Sequence, residues 1–186
     1  MTAERDIVDS IIKAAERLKS KRGNVDTTLQ DISDYVLLNR GDFIRTRTEG
    51  FRRDRKVFDS TAIQANEQLA SILHSGLTDP TARWFNFKPG DEFIANMESF
   101  KLWLEEVHKI MANVFTRSES GFNQQNHEML LNLTAYGTAV MWVEDEKERG
   151  ISFSSRHLGE IYIMENSKGF VDTVYRIFPF NARQTP

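Results

Sequence analysis

No cysteine occurs among the 186 residues. That absence excludes disulfide staples, thiolate metal sites and a cysteine nucleophile. It fits a reducing compartment without requiring one. Long apolar runs are missing too. The longest, Ala139 to Val143, falls far short of the roughly 20 residues that a membrane-crossing helix needs. The opening MTAERDIVDSIIK is charged from residue 4 and does not read as a signal peptide. The expectation is a soluble protein acting inside a cell, with no membrane partner. Charge of one sign is scarce: 24 Lys and Arg face 27 Asp and Glu, a net charge of −3. Such a chain has no overall basic field to draw it onto nucleic acid or an anionic surface. HExxH, GxSxG, P-loop and GxGxxG patterns are all absent, so no catalytic, cofactor or metal site is expected from motifs.

What is present is ordinary for a globular chain, 40% hydrophobic and 27% charged, and the length suits one domain or one domain with an appendage. The first three quarters read as amphipathic helices. Ile7, Val8, Ile11, Ile12, Ala15 and Leu18 have helical spacing, with Gly23 as the expected stop. A second helix is expected from Thr27, where Thr27 and Gln30 have capping-box spacing, to Asn39-Arg40-Gly41. Another is expected over 60–75, with Ala62, Ala65, Leu69, Ile72 and Leu73 inward. Trp84, Phe85 and Phe87 read as a short aromatic core strand. A long helix over 94–117 follows, its stripe running through Phe100, Trp103, Leu104, Val107, Ile110, Met111 and Val114. The last helix covers 122–136, with Phe122, Met129, Leu130 and Leu133 inward.

The pattern changes at Gly137. TAVMWVEDE reads as a strand covered on both faces, and Trp142, like Trp103, is expected in the core. GISFSSRHL, GEIYIMEN and FVDTVYRIFPF follow as strand-like runs separated by Gly150, Gly159 and Ser167-Lys168-Gly169. Four short runs with turn signals predict an antiparallel meander. The fold class expected is α+β: a helical part over 1–137 with a basic loop at 40–58, then a β part over 138–186, together one domain.

Residues 40–58 carry seven basic and three acidic side chains. Arg45, Arg47, Arg52, Arg53, Arg55 and Lys56 are the candidate contact residues, either for phosphate through charge-assisted hydrogen bonds or for a neighbouring subunit. The more economical reading is a solvated loop whose charges pair with Asp42, Glu49, Asp54 or another subunit. The histidines at 74, 108, 127 and 157 show no ligand spacing. His108, after Glu105-Glu106, and His127, before Glu128, read as solvated helix faces.

The order of several blocks carries more than any one of them. FDSTA at 58–62, LASILHSGLTDPTARWFNF at 69–87, YGTAVMWVE at 136–144, LGEIYIMEN at 158–166 and VDTVYRIFPFNARQ at 171–184 follow in the succession found in portal, or head-to-tail connector, proteins of short-tailed phages. Over residues 1 to 184 the chain resembles their N-terminal portion. Family members are several times longer, so the resemblance implies part of the portal wing, a fragment or a prophage remnant. It also implies a non-enzymatic virion protein that forms a ring of usually about twelve subunits, each face packing on the opposite face of the next. The implied partners are further copies of itself, capsid and scaffold proteins, the terminase motor, tail and head-completion proteins, and double-stranded DNA passing through the ring. The implied location is a capsid vertex, with the host cytoplasm as the site of assembly.

Overall fold

The computed structural model describes residues 2–38, 40–45, 57–146 and 150–179. In chain order the elements are α1 (Thr2–Tyr35), α2 (Thr61–Leu77), α3 (Glu92–Ala95), α4 (Glu98–Thr116), α5 (Phe122–Tyr136), β1 (Val140–Glu146), β2 (Gly150–Arg156), β3 (Ile161–Glu165) and β4 (Val171–Arg176). The α+β class holds. The strands form two separate two-stranded sheets among the described residues, β1 with β2 and β3 with β4, rather than one meander. The physical reason lies between β2 and β3, where Leu158–Glu160 form a single 3-10 turn and redirect the chain before a ladder continues.

Two compact units divide the chain: Met1–Ile63 with Arg156–Pro186, and Gln64–Ser155. In the first, α1 packs on the β3–β4 hairpin. The helix runs unbroken for 34 residues, about 51 Å at the usual rise. The stop expected at Gly23 does not occur. Arg22 reaches across it to Asp26 (Nε to Oδ1, 2.6 Å). The same guanidinium donates to the carbonyls of Leu158, Gly159 and Ile161 at 3.0, 3.0 and 2.6 Å and lies 4.0 Å over the Tyr162 ring. Tertiary contacts of that kind override the roughly 1 kcal/mol that a helical glycine costs. The helix buries Ala15, Asp26, Leu29, Gln30, Ser33 and Asp34. Its earlier apolar residues, Ile7, Val8, Ile11 and Ile12, stay exposed.

The hairpin is antiparallel, pairing Ile161 with Arg176, Tyr162 with Tyr175 and Ile163 with Val174. Its turn is the one expected. Asn166 accepts from Gly169 N–H through its carbonyl, and from Lys168 and Phe170 N–H through its side chain. Ile161 and Tyr162 are buried, while Ile163, Met164, Val171, Val174 and Ile177 face outward.

In the second unit α2, α4 and α5 carry the core. The face that α2 buries centres on Asn66 and Ala70, so Leu69 and Ile72, expected inward, are exposed. Polarity explains the rotation. Asn66 donates to the Leu131 carbonyl at 3.3 Å and accepts from Thr134 Oγ1 at 2.7 Å. These bonds satisfy an amide whose burial is otherwise costly. α5 begins and ends as the pattern predicts, and buries Phe122, Asn126, Leu130, Leu131 and Asn132. Fully burying a side chain such as Leu130 contributes roughly 1.5–3 kcal/mol.

Three further expectations are corrected. The long helix is interrupted at Met97, where α3 ends and α4 starts. Trp103 and Ile110 of its stripe are exposed, Trp103 by 56%. The aromatic segment 83–89 is no strand; it is held by ring packing instead of a ladder. β1 is not covered on both faces, since Trp142 and Val143 are exposed. Among the described residues its only paired strand is β2, and a partner in the plane of the sheet covers an edge rather than a face.

Candidate functional site

Two constructions in the structure hold polar side chains in fixed geometry, one in each unit. The first surrounds the end of α1. Gln30, 3% exposed, donates to Asp34 Oδ1 at 3.0 Å and Asp42 Oδ1 at 2.9 Å, and accepts from the N–H groups of Phe43 and Ile44. Ser33 Oγ donates to the Gly41 carbonyl at 3.0 Å. Arg45 pairs with Asp34 (Nη1 to Oδ2, 2.8 Å), its side chain 46% exposed against 7% for the carboxylate. These bonds bring 41–45 back onto the helix.

His157 is wedged into the same cluster. Its ring sits 4.9 Å from that of Phe43. A Cβ added at Gly41 would lie 3.0 Å from its Cε1, and one at Gly159 would lie 2.6 Å from its Nδ1. At Gly159 a side chain would force the ring to move, and at Gly41 the fit is tight enough that the ring would have to give. Nδ1 accepts from Gly159 N–H at 3.0 Å, which assigns the ring proton of the neutral form to Nε2. Nε2 makes no well-formed hydrogen bond, although the Gly41 backbone beside it favours the charged ring. Burial pushes this histidine below its usual range, opposed by Glu160 and the Gly41 backbone and reinforced by Arg40 and Arg22.

The second construction is an open cleft of about 410 Å³, lined by Arg83, Trp84, Phe85, His108, Lys109 and Phe115 among others. Arg83 Nε donates to His108 Nε2 at 2.8 Å, and the imidazole stacks on Phe85 at 4.4 Å. His108 is 7% exposed, so its expected place on a solvated face is wrong: the Phe85 ring covers it. Burial, and then the Arg83 charge, lower its pKa. Beneath lies an aromatic cluster in which Trp84 stacks on Phe122 at 5.8 Å, while Phe115 contacts Phe122 at 4.6 Å and Phe153 at 5.7 Å. Phe153 is how β2 joins this core.

His127 is half-buried rather than solvated. It pairs with Glu67 at 3.3 Å and lies 5.6 Å from the His74 ring. His74 is itself lowered by burial and then by His127, against a smaller effect of Asp79.

Of the six candidate contact residues only Arg45 is placed, and it is spent on Asp34. Arg47, Arg52, Arg53, Arg55 and Lys56 lie outside the described residues. Sequence reasoning missed Arg22 and Arg83, the two arginines that organise their surroundings. Arg22 sits in a polar stretch, Ser20 to Asn24, and Arg83 between Ala82 and Trp84, with no motif to distinguish either. Only the proximity of Arg83 to the aromatic segment hinted at its setting. The cleft offers shape, charge and aromatic faces; among its described lining residues no nucleophile is paired with a base. Among the described residues no group of three or more His, Asp or Glu has metal-binding geometry, and no helix is long and apolar enough to cross a membrane.

Comparison with known proteins points in one direction. The family model described as bacteriophage head to tail connecting protein matches residues 8–186. The portal protein of Salmonella phage epsilon15 is 28% identical over 177 residues, which is 95% of this chain and 32% of that protein. The probable portal protein of Bordetella phage BPP-1 is 28% identical over 169 residues, 90% of this chain and 30% of that protein. The chain thus spans about a third of the length of these curated relatives.

Proposed function

We propose a structural, ring-forming role, from the premise that this chain belongs to the bacteriophage head-to-tail connecting protein family. In this reading it forms part of the wing of a portal: a non-enzymatic assembly, usually of about twelve copies joined by one repeated heterologous interface. The ring occupies one capsid vertex, where DNA enters, is held and leaves, and where the tail attaches. Its partners are capsid and scaffold proteins, the terminase motor, head-completion proteins and the DNA itself, with assembly in the host cytoplasm.

The observation that carries this is the continuity of the family match, which runs through helices, loops and both hairpins without being confined to one motif. The surface agrees with it. Ile7, Ile12, Phe93, Leu102, Trp103, Trp142 and Val174 are exposed. Large apolar side chains left open in such numbers mark surfaces that other protein covers. The basic side chains at 45, 47, 52, 53, 55 and 56 belong to this reading as contacts to a neighbouring subunit.

The test is localisation. An antibody raised against the chain is expected to decorate a single vertex of intact particles in electron micrographs. An amber mutation in the reading frame is expected to yield heads without DNA. Decoration of every vertex, or full heads from the amber mutant, would overturn the reading.

A further inference from the structure

Resting on that ring reading, we propose that the cleft of the second unit receives Phe93, with Asp91, from a second copy of this chain. Phe93 is 78% exposed and stands on α3, a four-residue helix whose N-cap is Asp91. An aromatic side chain so far into solvent has most of its apolar area still to bury. Directly before it the sequence places two carboxylates, Asp91-Glu92.

The cleft offers the complement. Trp84, Phe85 and Phe115 form an aromatic wall, and Arg83 and Lys109 stand at its rim with one acid, Glu105. Arg83 is held in place through Nε by the buried His108. No carboxylate among the described residues pairs with either cation. Its volume, about 410 Å³, falls within the roughly 300–1,000 Å³ of clefts that take a ligand. A preorganised guanidinium with free Nη donors suits a carboxylate, and an aromatic anchor beside it is how binding energy concentrates at an interface.

Charge selects Phe93 over the other exposed phenylalanines. Phe58 is exposed as well, but it follows Arg55 and Lys56, which Arg83 and Lys109 would repel. Phe170 follows Lys168-Gly169 and brings no acid before the ring. Phe93 does not line the cleft of its own chain. Knob and cleft are different surfaces, so the contact is heterologous, the kind that repeats around a ring instead of ending at a dimer.

The absence of cysteine makes the test clean. Asn96→Cys and Thr116→Cys each introduce a single thiol, one beside the knob and one at the lining of the cleft, and leave Phe93, Asp91, Arg83, Lys109 and the aromatic wall unchanged. The two variants are mixed and treated with a short bis-maleimide, with sedimentation velocity in parallel. The expected result is a heterodimer of the two variants. Adding Phe93→Ala to the Asn96→Cys chain should lower its yield about tenfold, and high salt should lower it as well. Each variant alone should give little dimer; predominant cross-linking of one variant to itself would assign a symmetric pairing and overturn the proposal. Oligomers in sedimentation without the mixed cross-link would overturn this contact and leave the ring reading standing. Monomers throughout would remove both the contact and self-assembly of this chain.

Discussion

At the scale of single residues, the histidines were the least legible feature. His108 and His127 have acidic sequence neighbours and read as solvated, yet His108 stacks on Phe85 and His127 lies beside the His74 ring; His157, with no ligand spacing to mark it, packs against Phe43. All three shifted histidines, 74, 108 and 157, move the same way, below the ordinary histidine value, with burial the largest cause. The consequence for stability has a definite sign. A histidine held neutral in the folded chain binds its proton more readily when unfolded, so acid favours the unfolded state. Stability is therefore complete above the unfolded value of about 6.5 and falls as the pH drops through that value towards each folded one. His157 adds a geometric reason: protonation would place a proton on Nδ1, facing the Gly159 N–H that it now accepts. Around it stand Arg22 from α1, Arg40 from the following loop and Glu160 on its own segment, with Glu160 tied to Arg176 of β4. Urea midpoints are expected to fall between pH 7 and pH 5, and His157→Gln should show a shallower fall than the parent. Midpoints that stay flat over this range would mean that the rings are not held neutral.

At the scale of elements, legibility followed how locally each one is determined. α5 was readable to the residue because a positive-φ glycine bounds it at each end, Gly121 and Gly137. The Asn166–Gly169 turn was readable because its side-chain bonds are internal to it. The interior of α1 was not, since what carries the helix across Gly23 is Arg22 bound to carbonyls well over a hundred residues away. The face of α2 was not, because a buried asparagine outranks two exposed aliphatic residues. The separation of the strands into two sheets was equally hidden, for alternation within a run says nothing of which run lies beside it. α1 gives the sharpest test. A Cβ at Gly23 would meet nothing within 4 Å, and the position is exposed and helical. Gly23→Ala should therefore stabilise the chain by about 0.5–1 kcal/mol, read as a higher urea midpoint with an unchanged slope. A neutral or destabilising result would restore the break that the sequence predicts there.

At the scale of the whole molecule, the question is whether charge serves DNA binding or assembly. Family membership was legible from the order of sequence blocks. The cleft was not, because its lining comes from 80–85, α4 and the start of α5, which no local pattern connects. The net charge of the chain is −3, so under the proposed ring reading these residues add no net positive field to hold a duplex, whose affinity scales with the number of phosphates that cations neutralise. Of the six candidate contact residues, the one within the described residues, Arg45, is paired with the buried Asp34. A DNA-binding module built on 45–56 predicts something different. Six cations on six phosphates would give a log–log dependence of affinity on salt with a slope of about −5, and Arg52, Arg53 and Arg55 replaced together by Ala would remove about half of it. The structural reading predicts that binding of the chain to a short duplex, followed by fluorescence anisotropy near physiological salt, is weak and unaltered by the triple substitution. The same substitution should instead weaken self-association in sedimentation, since the segment's partner in this reading is another subunit. Steep salt dependence lost in the triple variant, with self-association intact, would move the basic segment from assembly to nucleic-acid binding.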